Sequence, residues 1–467
     1  MNHFLSSIHE RVVGQIVLPL YETRLRRRKT YRHKAEFDAT QWLSSAELRE
    51  VQWRKVQAIL RHAYETVPFY REAFQAAGIH PDRIDSPATF AQIPVLHKPA
   101  LRANKDRLVS SRFRVEDLIP SASGGSTGEP VQFYYNRDSY ERRMAASMRA
   151  DGWAGWRSCS GELHIWGVNL LPQKQLAQIK SRLLYTGMRK TVVNSFDLTP
   201  EVMTDRVAEL LERLRPRIVI GFSHALYEIA RRLMENRIHV RPPLGIVAAA
   251  EKLYPHQRTV IEQGFGAPVY DRYGCREVMI IGAECPEHSG LHVAADNLYV
   301  EFARDGVPCG PGEAGDVLLT DLHNYGMPLI RYRVGDVGSW NGEACRCGRG
   351  LPLMNALEGR TLDFIRTPSG RMVSGAFFPH FLKDFPAVRA FQILQERRDA
   401  VTVRMTLEAP LSSDDERLVK GTIARTIGPD VEIDWQLGPD IAIERTRKFR
   451  PVISTVPTDY GADVLGS

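Results

Sequence analysis

Hydrophobic residues recur at helical spacing near the start of the chain. From residue 44 to residue 67 they fall every three or four positions, and Pro68 then interrupts the pattern. This spacing places one apolar stripe along an α-helix. Ser44 and Glu47 stand three residues apart where the stripe begins, as in a capping box. The pattern predicts a helix over 44–67 within a mostly helical first hundred residues.

Apolar runs separated by helical patterns occupy the middle of the chain. The stretches "RIVIGFS" (217–223), "LGIVAAAE" (244–251) and "APVYDRYG" (267–274) each predict a buried strand, and Thr199-Pro200 predicts the start of a helix before them. Strands that alternate with helices in this way predict parallel pairing through crossover helices. Such sheets bind ligands at the carboxyl ends of their strands. The ends of these three strands are therefore candidate site positions.

The pattern changes after residue 360. The stretch "AVTVRMTLEA" (400–409) alternates apolar and polar residues like a half-buried strand, and a helical stretch near 413–426 and the strand "VEIDWQL" follow it. The chain is predicted to be an α/β protein, with a large N-terminal domain of mixed, partly parallel sheets and crossover helices, and a small α+β C-terminal domain. The predicted boundaries are 1–100 for a helical lead-in of the large domain, 101–359 for its core and 360–467 for the small domain.

Composition and charge narrow the range of partners. The 467 residues are 25% charged and 43% hydrophobic, with a formal net charge of +7, which is typical of a globular protein with more than one core. Positive charge favours anionic small molecules, nucleic acid or an acidic membrane surface. Nucleic acid has no further feature in its favour and is not predicted as a partner.

Two segments near the N-terminus bear on a membrane. The stretch "RLRRRKTYRHK" (24–34) indicates a solvated basic segment, with a membrane-surface or nucleic-acid patch as the alternative. The apolar run "VVGQIVLPLY" from Val12 is shorter than the ~20 residues that span a bilayer. We interpret it as a helical segment packed on the body of the protein.

The chain has six cysteines, too few for a disulfide framework, which predicts a reducing, cytoplasmic location. Two short motifs nevertheless combine metal-binding residue types. The stretch "ECPEHSGLH" holds Cys285, His288 and His292, and "CRCGRG" holds Cys345 and Cys347. Four of these five residues would suffice for one structural tetrahedral zinc site, and the sequence does not choose between the histidines. Free thiols are the alternative.

The loop "SASGGSTGEP" (121–130) concentrates glycine and hydroxyl residues. A flexible linker is one interpretation. The other is a loop folded around an anion, because glycines let backbone N–H groups point into one concavity and hydroxyls add further donors. The loop has neither the Walker ending nor the dinucleotide G-x-G-x-x-G pattern. Its candidate binding residues are Ser123, Gly124, Gly125, Ser126, Thr127 and Gly128.

Further motifs follow this loop in a fixed order. They are "AAAEKL" with Glu251, "YDRYGCRE" with Tyr273, Gly274 and Glu277, "LIRYRVGDVG" with Asp336, "LEGRTLDFI" with Arg360 and "ERTRKFRPVIS" with Lys448. With these motifs the chain resembles the adenylate-forming superfamily of acyl-CoA synthetases. The likeness extends to its phenylacetate–CoA ligase branch and to the related capsular-polysaccharide-biosynthesis ligase-like proteins, and it covers nearly the whole chain.

The resemblance implies ATP-dependent activation of a carboxylic acid to an acyl-adenylate, with pyrophosphate released, and transfer of the acyl group to coenzyme A. The protein must then neutralise charge at the triphosphate. By similarity, the glycine-rich loop would hold the β- and γ-phosphates, and Glu251 and Gly274 would border the nucleotide. Glu277 would hold Mg²⁺, and Tyr273 would lie beside the adenine.

The resemblance implies three further roles towards the C-terminus. Asp336 would accept hydrogen bonds from the ribose hydroxyls, Arg360 would lie at the domain junction, and Lys448 on a mobile small domain would be the catalytic lysine of adenylation. The chain departs from common family patterns at three positions. These are Glu129 in place of lysine, Leu362 in place of an acid at the hinge, and Arg447 in place of glycine.

The acid substrate is expected at the strand ends. Its candidate contacts are Gly221, Phe222, Ser223 and Ala249, with Tyr134 and Trp166 at the border of the same cavity. An aromatic residue among small ones suits an aromatic or compact acid. The acceptor stays open between coenzyme A, an amine and a carrier-protein thiol. A membrane-peripheral factor of surface-polysaccharide assembly is a further alternative, and a homodimer is compatible with the sequence.

Overall fold

The structure is a computed structural model, and the parts of the chain that it describes form two compact units. It describes residues 8–122, 131–166, 183–194, 200–357, 359–360, 364–368, 372–374, 377–382, 385, 387–438 and 452–456. Within these ranges the larger unit extends to Val334 and resumes over Ser339–Ala356. The smaller unit holds Gly335–Gly338 and the described residues from Leu357 onwards.

The described residues start with an N-terminal helical segment, which we define as residues 8–27. It contains π-helix over Glu10–Val17 and Tyr21–Leu25, with one α-helical turn at Leu18–Leu20 between them. The other helices of the larger unit are α1 (Thr30–Thr40), α2 (Ser45–Thr66), α3 (Pro68–Ala76), α4 (Pro87–Phe90), α5 (Lys98–Ala103), α6 (Arg137–Trp153), α7 (Pro200–Leu214), α8 (Ser223–Glu235) and α9 (Pro255–Phe265). Short 3₁₀ turns lie at Pro81–Arg83 and Val115–Asp117, and residues 183–187 are also helical.

The predicted capping box at the start of α2 is confirmed. The Glu47 backbone N–H donates to the Ser44 side chain, and the Glu47 carboxylate accepts from the Ser44 backbone. Pro68 starts α3 directly after α2 ends, since proline is favoured in the first turn of a helix and cannot continue one. Local sequence therefore accounts for both ends of α2.

The large sheet of this unit has eight strands. The strands are β3 (Glu162–Trp166), β4 (Lys190–Asn194), β5 (Ile218–Phe222), β6 (Gly245–Ala249), β7 (Val269–Tyr273), β8 (Gly282–Glu284), β9 (Leu291–Val293) and β14 (Leu353–Met354). Their spatial order is β14-β9-β8-β7-β6-β5-β3-β4. The pairs from β4 to β7 are parallel, and those from β7 to β14 are antiparallel. The predicted mixed, partly parallel sheet is confirmed.

Helices α7, α8 and α9 make the crossovers and cover this sheet. Both α7 and α8 bury one apolar face: Val207, Leu211, Leu226, Ile229 and Leu233 all belong to one core with β5 and β6. Both faces of β5 and β6 are buried along their whole length. Helices therefore hold the strands rigidly, and the carboxyl ends of β5, β6 and β7 lie side by side.

A second sheet and a hairpin complete the larger unit. The hairpin consists of β1 (Ile119–Ala122) and β2 (Gln132–Tyr135), and the sheet contains β10 (Leu298–Arg304), β11 (Val307–Pro308), β12 (Gly315–Asp321) and the start of β13 (Tyr332–Gly338). Arg331 is buried just before β13. Its guanidinium donates to Glu301 and to the carbonyls of Ala91, Ile93 and Gly306. This arginine therefore joins the helical lead-in to the second sheet.

The smaller unit is an α+β fold, as predicted. Its elements are β15 (Gly359–Arg360), β16 (Phe364–Arg366), β17 (Met372–Ser374), α10 (Phe377–Leu382), β18 (Val388–Arg397), β19 (Ala400–Leu407), α11 (Ser413–Ile427), β20 (Glu432–Gly438) and β21 (Val452–Ser454). Strands β20, β19, β18 and β21 form one sheet in that order. Val401, Val403 and Met405 alternate into its core, where they meet Val419 and Ile423 of α11. The period-two pattern was sufficient to predict which face of β19 is buried.

Among the described residues, no helix is both long and apolar enough to cross a membrane. The apolar run from Val12 forms helix, as expected. Only Gly14 and Leu18 are buried between residues 8 and 27, however, and Val12, Ile16 and Leu20 are exposed. The expectation that this run packs on the body therefore holds for one narrow face of the helix.

Candidate functional site

Two aromatic rings meet at the carboxyl ends of β3 and β5. The rings of Trp166 and Phe222 are stacked, with centroids 4.7 Å apart and an interplanar angle of 18°. On the other face of β5, a Cβ added at Gly221 would lie 3.1 Å from both the carbonyl oxygen of Ile165 and Leu226 Cγ, so the glycine allows β3 and α8 to pack closely there. Ala249 pairs in register with Phe222 from the other side. The structure thus brings Trp166, Phe222 and Ala249 together on one face of the sheet, whereas Gly221 faces the other side.

A hydrogen-bonded turn joins the ends of β5 and β6. The backbone N–H of His224 donates to Glu251 Oε2 at 3.0 Å, and the Ser223 hydroxyl donates to the Glu251 carbonyl at 3.2 Å. A carboxylate at the start of α8 is favourable because unpaired N–H groups leave partial positive charge there. Ala250 adopts a left-handed backbone with φ of 66°, which turns the chain back towards α8. Glu251 therefore shapes this edge of the cleft, and its contact with a nucleotide stays a prediction.

Tyr134 lies in a different setting from Trp166. It is half-buried on β2, and the Lys105 ammonium stands 5.5 Å from the centre of its ring. Its backbone carbonyl accepts from the Asn324 side chain at 2.9 Å. Its place beside the same cavity as Trp166 stays a prediction.

Tyr273 and Gly274 end β7, next to the two strands described above. Tyr273 is buried and pairs with Gly282 of β8. At Gly274 an added Cβ would lie 2.0 Å from the carbonyl oxygen of Met279. Met279 itself has φ of 71°, so the following turn is folded tightly against the glycine. Only a glycine fits this position without moving the turn that leads to Glu277.

We expect Gly274→Ala to destabilise the larger unit by about 1–3 kcal/mol, because the new methyl group meets backbone atoms rather than a flexible side chain. Gly152→Ala is the matched control. Gly152 lies in α6 with open space around its Cβ position, and alanine is favoured there by up to ~1 kcal/mol. Thermal unfolding midpoints measure both changes. Equal midpoints for the two variants would contradict this account of Gly274.

Glu277 is a buried carboxylate with a tyrosine partner. It is 3% exposed, and the Tyr332 hydroxyl donates to its Oε1 at 2.8 Å. Tyr332 is itself fully buried at the start of β13. Next to Glu277, the backbone carbonyl of Arg276 accepts from the Tyr135 hydroxyl. Buried carboxylates need such donors or a cation, and a hard cation such as Mg²⁺ prefers oxygen ligands.

Sequence reasoning assigned no role to Tyr332, although this residue stands in the same motif as Asp336. Its hydroxyl reaches Glu277 across 55 positions of the chain, and no local pattern predicts such a contact. The sequence did offer one indication, since Tyr332 carries a hydroxyl group and lies within a motif that already contained a candidate site residue. Tyr332 is therefore a candidate positioning residue for Glu277.

Asp336 and Arg360 face each other in the smaller unit. They are paired in register on β13 and β15, and Asp336 is half-buried. The structure describes the backbone of Arg360 but not its side chain. The loop residues 123–128, the hinge positions 361–363 and Lys448 lie outside the described residues. The roles implied for these residues by resemblance stay predictions.

Four metal-ligand side chains converge at the edge of the large sheet. The ligand atoms of Cys285, His292, Cys345 and Cys347 all lie within 4.8 Å of one another. The sulfurs of Cys285 and Cys345 are 3.6 Å apart, and Cys347 Sγ is 3.3 Å from His292 Nε2. Zn–S bonds of about 2.3 Å in a tetrahedron place two sulfurs roughly 3.8 Å apart. The donor set and its spacing therefore fit one zinc ion.

The tautomer of His292 suits a ligand. Its Nδ1 donates to the carbonyl of Leu351 at 3.2 Å, so Nε2 carries the lone pair on the side of the cysteines. Burial lowers the pKa of His292 to about 4, which keeps the ring neutral. Burial raises the pKa of the Cys285 thiol to about 12, and a bound cation would offset that cost of forming a thiolate. These features favour metal over free thiols.

His288 points to other partners. Its Nδ1 lies 3.1 Å from Glu284 Oε2, and the Arg258 guanidinium donates to both oxygens of the same carboxylate. Among the described residues, the cluster of converging ligands does not include His288. The choice that the sequence left open between the histidines is thus made by geometry, in favour of His292.

Comparisons with known proteins agree with these observations. The CapK C-terminal domain family matches residues 365–455. The phenylacetate–coenzyme A ligase of Escherichia coli (strain K12) is 29% identical over 352 residues, which cover 71% of this chain and 75% of that protein. Protein CapK of Staphylococcus aureus is 23% identical over 293 residues, 62% of each chain.

A solved structure of 2-hydroxyisobutyryl-CoA ligase, in the postadenylation state with an adenylate, shares the fold. The TM-score is 0.67 at 20% identity, over 89% of this chain and 91% of that one. The mixed sheet and the smaller C-terminal unit agree with this structural match and with the sequence relatives. The chain is a homologue of the phenylacetate–CoA ligases and of CapK, and it has the fold of the adenylate-forming CoA ligases.

Proposed function

We propose that this protein is an AMP-forming acid–CoA ligase that activates an aromatic or otherwise compact carboxylic acid. The observation that carries the proposal is the meeting of three strand ends around the Trp166–Phe222 pair, with β7, which leads to the buried Glu277, as the next strand of the sheet. Parallel sheets bind ligands at such ends. The relatives named phenylacetate–coenzyme A ligase support the same class of reaction.

The proposed reaction has two steps. A carboxylate oxygen of the acid attacks the α-phosphorus of ATP, the bond to the β-phosphate oxygen breaks, and pyrophosphate leaves. The sulfur of coenzyme A then attacks the acyl carbon, the carbon–oxygen bond to AMP breaks, and the thiol proton goes to solvent. The first step brings two negative groups together, so the site must supply positive charge there, and both steps require the reactants to be positioned.

The described residues would contribute binding and positioning. The acid would lie against the rings of Trp166 and Phe222, and the small side chain of Ala249, in register with Phe222, would leave room for a flat group. Ser223 and Glu251 would hold the neighbouring turn in place through their hydrogen bonds. A pocket with two aromatic rings favours compact, apolar acids over long flexible ones.

Glu277 would hold Mg²⁺ beside the phosphates, with Tyr332 fixing the position of its carboxylate. The ion would supply positive charge against the triphosphate. In the smaller unit, Asp336 would accept from the ribose, and Arg360 would lie at the junction that follows β13. The loop 123–128 and Lys448 would bind the phosphates and the reacting groups, as in the family that the chain resembles.

The proposal includes a structural zinc ion at Cys285, His292, Cys345 and Cys347. Cys285 and Cys345 belong to a core that also contains Phe37, Leu48 and Trp153. The ring of Trp153 stands edge-on to that of His292, with centroids 5.4 Å apart. Zinc would therefore tie residues 345–347 to the sheet and to the helical lead-in, away from the reacting groups.

Pyrophosphate release with a panel of acids, with and without coenzyme A, tests the function. We expect aromatic acids to give release and coenzyme A to accelerate it. Glu277→Gln should lower the rate about 10–100-fold and raise the Mg²⁺ concentration needed for half-maximal rate. Tyr332→Phe, which keeps the carboxylate and removes its hydrogen bond, should have a smaller effect in the same direction.

Three results would each argue against one part of the proposal. If no acid gave pyrophosphate release, the proposed adenylation itself would be contradicted. If an amine or a carrier-protein thiol consumed the adenylate and coenzyme A gave no acceleration, adenylation would stand. The acceptor would then not be coenzyme A. Unchanged Mg²⁺ dependence in Glu277→Gln would show that this carboxylate does not serve the metal.

A further inference from the structure

The N-terminal helical segment touches the rest of the larger unit along one narrow face. Gly14 is the point of closest approach, since an added Cβ would lie 2.2 Å from the carbonyl oxygen of Ser158. Leu18 is buried on the same face. His9 Nε2 donates to the carbonyl of Gly187 at 2.8 Å. The segment is thus held in place while most of its circumference stays exposed.

The exposed side of the segment carries large apolar side chains. The fractional exposures are 43% for Ile8, 46% for Val12, 55% for Ile16, 50% for Val17, 53% for Leu20 and 76% for Leu25. Most of these positions are four residues apart, and a π-helix has wide turns, so the side chains form one stripe. A protein surface that only meets water rarely carries such a stripe.

A second segment of the chain lies beside the N-terminal helical segment and also exposes apolar side chains. Residues 183–187 are helical, and Leu183 and Leu184 are 69% and 41% exposed. The hydrogen bond from His9 to Gly187 places this short helix beside the N-terminal helical segment. Exposed leucines from a distant stretch of the chain therefore lie near the N-terminal helical segment.

The acidic and basic side chains of the N-terminal helical segment differ in their exposure to solvent. The acids within residues 8–27 are Glu10 and Glu22, whose side chains are only 16% and 13% exposed and which pair with Arg157 and Arg28. The exposed side instead carries arginines at positions 11, 24, 26 and 27. Within residues 8–27, the outward surface is therefore apolar and cationic without an exposed acid.

We propose that this surface binds an anionic lipid bilayer, with the helix lying in the plane of the interface. Apolar side chains would enter the boundary of the acyl chains while arginines contact lipid phosphates, as interfacial amphipathic helices do. A second copy of the chain suits the surface less well, because a twofold contact would bring the same arginines face to face. The proposal is independent of the proposed catalytic function.

Co-sedimentation with vesicles tests the proposal. The full chain should bind phosphatidylcholine vesicles that contain phosphatidylglycerol, bind pure phosphatidylcholine vesicles weakly, and be released as salt rises. Leu20→Glu/Leu25→Glu should lower the partition coefficient roughly tenfold or more, because two apolar side chains are lost from the bilayer. Arg24→Glu/Arg26→Glu should lower binding to the anionic vesicles only.

Leu244→Glu/Val307→Glu is the matched control. Both residues are exposed apolar side chains of the larger unit, at 55% and 67%, and the double variant makes the same change in charge. It should bind like the unchanged protein, and all variants should keep its thermal unfolding midpoint. Absence of binding by the unchanged protein, or equal loss in the control, would overturn the proposal. So would a dimer in light scattering that Leu20→Glu/Leu25→Glu dissociates.

Discussion

Replacing Lys448 by alanine should lower the rate of acyl-adenylate formation by about 10²–10³. The carboxylate and the α-phosphate are both anionic, and their repulsion is greatest as the new bond forms. One ammonium group placed between their oxygens stabilises that arrangement more than it stabilises the separate reactants. The expected loss is therefore in kcat, with little change in the KM for ATP.

The two half-reactions can be measured apart. ATP–pyrophosphate exchange reports adenylate formation, and mixing purified adenylate with coenzyme A reports thioester formation. We expect Lys448→Ala to impair the first and to leave the second nearly unchanged. Arg447→Ala is the control, since it removes the same charge from the neighbouring position. If Lys448→Ala exchanges as fast as Arg447→Ala, the lysine has no part in adenylation.

Zinc should be found at about one ion per chain after purification without chelators, and its loss should destabilise the larger unit. We expect a cost on the order of 5 kcal/mol, smaller than the ~10–16 kcal/mol of zinc-finger peptides, because this unit has an extensive core of its own. Cys345→Ser/Cys347→Ser should lose the metal and lower the thermal unfolding midpoint. Elemental analysis and thermal unfolding measure the two effects.

A pair of histidine variants separates the proposed ligand from its neighbour. His292→Ala should lose zinc, because Nε2 of His292 faces Cys347. His288→Ala should retain it, because that ring pairs with Glu284. The reverse outcome would mean that the observed cluster is not the metal site. Zinc-free protein with an unchanged unfolding midpoint would exclude a structural ion altogether.

The zinc test and the catalytic test are independent. Loss of zinc would lower stability, because the ion would join residues 345–347 to the helical lead-in. Loss of Lys448 would instead lower the reaction rate and leave stability unchanged. A Lys448→Ala protein with full zinc content and a normal unfolding midpoint is therefore the expected result. This combination distinguishes a catalytic residue from one that supports folding.

The helices and strands could be predicted from the sequence because they depend on residues that are close together in the chain. The helix Ser45–Thr66 has its cap at Ser44 and its end at Pro68, both within a few residues. Strands β5 and β6 are continuous apolar runs, and β19 alternates with the period of a one-sided strand. Periodicity and capping residues carry this information directly. The predicted domain boundary at residues 359 and 360 stays a prediction.

The order of the elements, the parallel strands with their crossover helices, and the residue types at the strand ends were all predictable from the sequence. Tertiary structure alone decided that Tyr332 donates to Glu277, and that His292 rather than His288 joins the cysteines. It also decided that the apolar stripe from Ile8 to Leu25 faces outward. This difference arises because a hydrophobic pattern specifies which side chains of a segment must be buried. It does not specify which distant partner each of them meets.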